Sequence, residues 1–172
     1  MTDHSNDHLT IAQGRQLLIA NRKKGTKCLL CNRPAKIYHR VLGGSACYVL
    51  ILLYRRFKMH GPEWVHVLEF LSTVPLQGDG DKLRTKLAKG DWQKTRWWGF
   101  IVEKAEKKSD GNPCAGYWQI TDTGVKFVEQ QISVPRAAFE FRSELIDWDT
   151  SGFVTIKQAM MESFNYDALM KF

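Results

Sequence analysis

Long apolar runs are missing from this chain. The longest, Ala46 to Tyr54, falls far short of the ~20 residues that span a bilayer, and the polar amino terminus lacks the pattern of a secretory signal. The expectation is a cytoplasmic protein with no membrane partner. Signatures of catalysis are missing as well: there is no glycine-rich phosphate loop, no Gly-x-Ser-x-Gly and no His-Glu-x-x-His, and the 5 histidines are scattered. A metal-dependent nuclease would gather carboxylates beside a basic groove, whereas the acidic residues here are mostly carboxy-terminal singletons. An enzyme is therefore not expected. Internal repeats and low-complexity segments are absent. So is a second Cys-x-x-Cys pair to match the one at Cys28 and Cys31.

What is present suits a folded domain. With 172 residues, 44% of them hydrophobic, and 6 tryptophans, the chain can bury a real core, and disorder is not the default. The net charge of +7 is unevenly placed. Asn21 to Val41 holds seven basic residues (Arg22, Lys23, Lys24, Lys27, Arg33, Lys36, Arg40) and no acidic one. Lys82 to Lys108 adds nine basic against three acidic, and from Ala137 onward the balance turns acidic. A positive field over the first two regions suits phosphate backbones; the alternative is a solvated basic surface.

Taken in order, Thr10 and Gln13 fit a capping box for a helix over Ile11 to Arg22, with Ile11, Leu17, Leu18 and Ala20 as its apolar side. Ala35 to Leu42 reads as a strand with Ile37 and His39 on one face. Ser45 can cap a helix over Ala46 to Lys58 whose middle is apolar on every face, which makes it central, and whose end carries Arg55, Arg56 and Lys58. Trp64 to Val67 is a short strand, and Leu68 to Thr73 and Asp81 to Ala88 are helices. Beyond Gln131, Phe139 to Trp148 and Phe153 to Ile156 alternate as two strands around a turn at Asp149-Thr-Ser-Gly152, and short helices over Lys157 to Ser163 and Tyr166 to Met170 close the chain.

The stretch from Gly90 to Gln131 organises the rest. Asp91 caps a short helix through Trp98, and Gly99 sits where a left-handed residue would end it. Phe100 to Lys104 and Gly116 to Ile120 form a hairpin with a long basic tip, and Thr121 caps a helix through Gln131. Within this order, Trp98-Gly99-Phe100-Ile101 and Tyr117-Trp118-Gln119-Ile120-Thr121-Asp122-Thr123-Gly124 resemble the end of the recognition helix and the exit of the wing in winged-helix transcription regulators. That resemblance implies a winged-helix domain over residues 45–131. Gln93, Lys94, Arg96 and Trp97 would then form its reading face, and Lys107 and Lys108 the wing contacts. Arg and Gln suit bidentate contacts to guanine and adenine edges, and Lys suits phosphate. An indole on such a face prefers a protein partner or an unstacked base, and Trp97 as a core residue is the alternative.

Cys28-x-x-Cys31 has the spacing that lets two thiolates reach one structural zinc ion, with His39 as a nearby third ligand; Cys47, His60, His66 and Cys114 are further candidates. Two buried reduced cysteines or a redox dithiol are the alternatives. Lys23, Lys24 and Arg33 around this knuckle add to the nucleic-acid surface. The loop Asp147-Trp-Asp149-Thr-Ser151-Gly152-Phe-Val154 matches a calcium loop, except that position twelve is Gln158 instead of a bidentate Glu. A tight turn is the competing reading.

The expected fold class is α+β: an amino-terminal helix plus knuckle over 1–44, the winged-helix domain over 45–131, and a hairpin-and-helix extension over 132–172. The knuckle with Ala35-Lys36-Ile37-Tyr38, the Gly90-Asp91-Trp92 segment and Phe164-Asn-Tyr-Asp-Ala-Leu-Met170 together resemble small uncharacterised bacteriophage proteins. This likeness implies a phage origin and a place in the host cytoplasm. Two functions follow as expectations: binding of nucleic acid, duplex DNA first, or docking on a host enzyme or defence complex that is thereby inhibited or redirected.

Overall fold

The structure, a computed structural model, describes residues 9–29, 31–77, 80–105 and 115–172. It is mixed α and β, 45% helix and 24% strand, with small antiparallel sheets. In chain order the elements are α1 (Ile11–Asn21), β1 (Thr26–Lys27), β2 (Pro34–Ala35), β3 (Tyr38–Val41), α2 (Gly44–His60), β4 (Val65–His66), α3 (Val67–Thr73) and α4 (Gly80–Ala88). A 3-10 turn (Asp91–Arg96), β5 (Ile101–Glu103), β6 (Tyr117–Ile120), α5 (Asp122–Val128), β7 (Val134–Phe141), β8 (Glu144–Val154), α6 (Ile156–Met160), a second 3-10 turn (Met161–Ser163) and α7 (Tyr166–Leu169) follow. The chain divides into two compact units, one of Met1–Val41 with Ala137–Asp149, the other of Leu42–Arg136 with Thr150–Phe172. Residues 132–172, read from sequence as a single extension, are thus shared between the units.

In the first unit, the Thr10 hydroxyl accepts from the Gln13 amide and the Gln13 side chain accepts from the Thr10 amide at 2.8 Å, closing the expected capping box. The apolar side expected to pack does so only in part: Ile11, Leu17 and Ala20 are exposed, Leu18 is half-buried, and Gly14 is the one buried residue of α1. β1 and β2 pair antiparallel across the cysteine turn. β3 pairs antiparallel with β7, setting Tyr38 opposite Glu140 and His39 opposite Phe139. Arg40 Nε donates to the buried Glu140 carboxylate at 2.6 Å and its guanidinium lies over the Tyr38 ring.

The turn between β7 and β8 is Arg142-Ser143, both at positive φ (53° and 65°), the left-handed pair that matches the twist of a two-residue hairpin. The sequence reading put this turn at Asp149-Thr-Ser-Gly152, and that is corrected: these residues run extended within β8. A calcium loop is ruled out by the same strand, since its helical frame is missing. Gln158 instead closes a capping box, its side chain accepting from the Thr155 amide at 2.9 Å to start α6.

The second unit is built on α2, whose residues Ala46 to Tyr54 are all buried. A helix apolar on every face must be covered on every face, and here α4, the first 3-10 turn, β6, α5 and α6 all pack on it. Gly43, not Ser45, is the residue before its first turn. A side chain on Gly44 would come within 2.8 Å of the Met160 carbonyl oxygen, so the absence of one lets α6 close on the start of α2. β4, β6 and β5 form an antiparallel sheet in that spatial order, with β6 between the other two. The Phe100 and Phe127 rings stack at 4.3 Å, and Trp92 meets Trp118 edge to face at 5.6 Å.

Candidate nucleic-acid interface

The segment from Asp91 to Trp98 was expected to be an α-helix; its hydrogen bonds make a 3-10 turn. The spacing of its buried residues explains this. Trp92, Thr95 and Trp98 recur every three residues and are all buried, which matches about three residues per turn and not the α-helical period. Two further bonds hold the tighter winding: the Thr95 hydroxyl donates to the Trp92 carbonyl at 2.7 Å, and the Trp92 indole donates to the Leu87 carbonyl at 3.2 Å. Gly99, at φ 71°, then ends the turn as the sequence reading anticipated.

Locking that face inward turns Gln93, Lys94, Arg96 and Trp97 the other way. Arg96 is exposed, and Gln93, Lys94 and Trp97 are half-buried. Lys94 Nζ lies 2.9 Å from an Asp91 carboxylate oxygen, so part of its charge is answered locally. Trp97 leans on Trp98, ring centres 6.4 Å apart, and Trp98 donates its indole N–H to the Pro135 carbonyl at 2.8 Å.

Sequence reasoning missed a second basic face in this unit. On α4, Leu83 and Leu87 are buried while Lys82, Thr85, Lys86 and Lys89 at its end are exposed. The four-residue spacing of the two leucines was the signal that could have revealed it. Arg84 on the same helix is half-buried, and its guanidinium donates to the Leu71 carbonyl and, at 2.9 Å, to the Val74 carbonyl. It thereby satisfies acceptors that the carboxy-terminal end of α3 leaves open, fixing α3 against α4.

The other candidates lie in the first unit. Lys23, Lys24 and Arg33 are exposed. Cys28 and Cys31 bracket a tight turn in which the Asn32 amide donates to the Cys28 carbonyl at 2.8 Å and the Cys28 amide donates to the Arg33 carbonyl at 2.9 Å. Asn32 takes the left-handed conformation at φ 55° that its short amide side chain tolerates. Cys31 is exposed and Cys28 half-buried. His39 points elsewhere in its bonding, its Nε2 lying 2.7 Å from an Asp149 carboxylate oxygen. Among the described residues no group of three His, Cys, Asp or Glu side chains comes together as a metal site. Lys107, Lys108 and Cys114 lie outside the described residues.

Cys47 belongs to a different environment. It is fully buried in α2, and burial pushes its thiol up to about 12, so at pH 8 hardly any of the nucleophilic thiolate forms. Iodoacetamide at that pH, with a chelator present to remove any zinc, should modify the exposed Cys31 in the native protein and reach Cys47 only after denaturant is added. Peptide mass mapping of the alkylated sites checks this, and equal labelling of Cys47 and Cys31 in the native state would contradict the buried assignment.

No protein-family model, no curated protein and no solved structure matches this chain. No helix among the described residues is long and apolar enough to cross a membrane.

Proposed function

We propose that the second unit is a winged-helix domain and that it binds nucleic acid, duplex DNA first. The observation that carries this reading is the sheet order β4-β6-β5 combined with the element order: α2, then β4, two helices and a 3-10 turn, then β5, a basic connection and β6, then α5. A winged helix needs that return of its last strand between the first two. Its reading face combines Gln93, Lys94, Arg96 and Trp97 with Lys82 and Lys86 of α4 and Lys89 just past its end, and the wing adds Lys107 and Lys108. Arg96 supplies the forked donors for a base edge or phosphate, and the lysines supply sequence-independent attraction.

The test is binding to a labelled random duplex across a salt series. Each phosphate neutralised should add about −0.9 to the slope of log affinity against log salt, and Lys94→Ala/Arg96→Ala should lower affinity about tenfold or more at low salt. Arg142→Ala, on the exposed turn of the other unit, should leave affinity nearly unchanged. Equal losses from the two variants would remove the reading face, and no binding at low salt would remove the proposal. In that event the half-exposed Trp97 favours the second reading, docking on a host protein.

The same proposal carries a structural zinc on Cys28 and Cys31. Metal analysis of the purified protein should find about one zinc per chain, lost in Cys28→Ser. A metal-free chain that folds equally well would leave these cysteines as a reduced dithiol turn.

A further inference from the structure

The first unit has a weak interior. Among the described residues, those buried in this unit are Gly14, Ala35, Ala137, Ala138 and Glu140, with no large apolar side chain among them. Small units of this kind need something else to complete them. The same unit contains a cavity of about 500 Å³, within the range of small-molecule sites.

Three kinds of chemistry converge on that cavity. Ile37, Phe139 and Ile146 supply apolar surface. The His39 ring lies 5.2 Å from the Phe139 ring and is held by Asp149, so the aromatic pair is fixed from behind. Arg22 and Lys23, at the end of α1, supply positive charge. The Arg22 carbonyl accepts from the Ile37 amide at 2.8 Å, which anchors this end of α1 beside β3. The Arg22 guanidinium lies 5.9 Å from the centre of the Phe141 ring, and neither cation has a carboxylate partner among the described residues. Asp147 supplies an acceptor. One of its oxygens takes the Trp148 amide at 2.8 Å, which orients the carboxylate.

We propose that this cavity binds a guanine nucleotide, its phosphate on Arg22 and Lys23, its base against Phe139 and His39, and its Watson–Crick edge on Asp147. An anion alone would not need the apolar floor, and an aromatic acid would not need Asp147. Guanine presents two adjacent N–H donors that match the two oxygens of a carboxylate, and flat bases stack on aromatic side chains. The site is distinct from the face proposed for duplex DNA and does not depend on it.

The nucleotide could come free or as the 5′-phosphorylated end of a single strand, and the experiment separates these sources. Thermal shift and calorimetric titration would compare GMP, UMP, guanosine and inorganic phosphate, then a short guanine-ended oligonucleotide with and without its 5′ phosphate. GMP should raise the melting temperature in a concentration-dependent way and bind better than UMP, guanosine or phosphate. Arg22→Ala/Lys23→Ala should weaken GMP about tenfold or more and leave guanosine unchanged. Asp147→Asn should abolish the preference for GMP over UMP. Because Lys23 and Asp147 are exposed, these variants keep the fold, and circular dichroism checks that they do. If only the phosphorylated strand binds, the ligand is a strand end; if GMP binds too, it is the nucleotide as such. Inorganic phosphate acting as strongly as GMP, no shift with any of these ligands, or GMP binding unaffected by Arg22→Ala/Lys23→Ala would overturn the proposal.

Discussion

Gly124→Val should unfold the second unit or cost it about 3 kcal/mol or more, at the upper end of what overpacking does. Gly124 opens α5, its amide accepted by the Thr121 hydroxyl at 3.1 Å. A β-carbon there would press on the Phe100 carbonyl and come within 2.8 Å of Ile120 Cγ1. The first neighbour is backbone and the second belongs to β6, so neither can swing aside. Relief would require α5 to lift away, parting the Phe100 and Phe127 rings. Urea denaturation followed by tryptophan fluorescence measures the loss. Gly14→Ala is the control: its added methyl meets nothing within 4 Å, and alanine in a helix interior should gain about 0.5–1 kcal/mol. If both changes have the same sign, the close approach of the Phe100 backbone to α5 is not the reason for glycine at 124.

The second large effect is expected from Arg40→Ala. Glu140 is 6% exposed and sits in the central strand of its sheet, so losing the guanidinium removes the Arg40 charge that faces a buried carboxylate. Breaking one side of a fully buried pair costs about 3–5 kcal/mol; with the Arg40 side chain 38% exposed, solvent screens part of this and a loss of about 1–3 kcal/mol is expected. Glu140→Gln should cost less, because a neutral amide tolerates burial better. Arg40→Ala/Glu140→Gln should then be more stable than Arg40→Ala alone, a coupling that a double-mutant cycle in denaturant isolates. Additive losses would mean that the two side chains act independently despite their 2.6 Å separation.

Local chemistry made much of the fold legible. The capping residues Thr10 and Thr121 mark helix starts because their hydroxyls satisfy amides that a helix leaves open. The apolar run Ala46 to Tyr54 identified the central helix because no amphipathic surface helix has such a face on all sides. The single strand expected over Ala35 to Leu42 is split into Pro34–Ala35 and Tyr38–Val41 with Ile37 between them, although Ile37 and His39 still line one cavity. The β7–β8 turn was not legible, because Arg142 and Ser143 carry no turn preference while Asp149-Thr-Ser-Gly152 carries several. Pairing of β8 with β7 outweighs those local preferences. The 3-10 winding at Asp91–Arg96 was also hidden, since positions 92, 95 and 98 fit a rough helical stripe as well as a three-residue repeat. The basic face of α4 was visible in its leucine spacing but was passed over in favour of the tryptophan-rich segment that follows.

The burial of α2 has a consequence for how the chain is made. This helix emerges from the ribosome early, yet α6, one of the elements that cover it, comes near the end of the sequence. Until α6 arrives, one side of the apolar stretch Ala46 to Tyr54 lacks its cover, and nascent chains in that condition are prone to aggregate. A released chain truncated just before Ile156 should therefore stay bound to a chaperone, and one that includes Met160 should be let go.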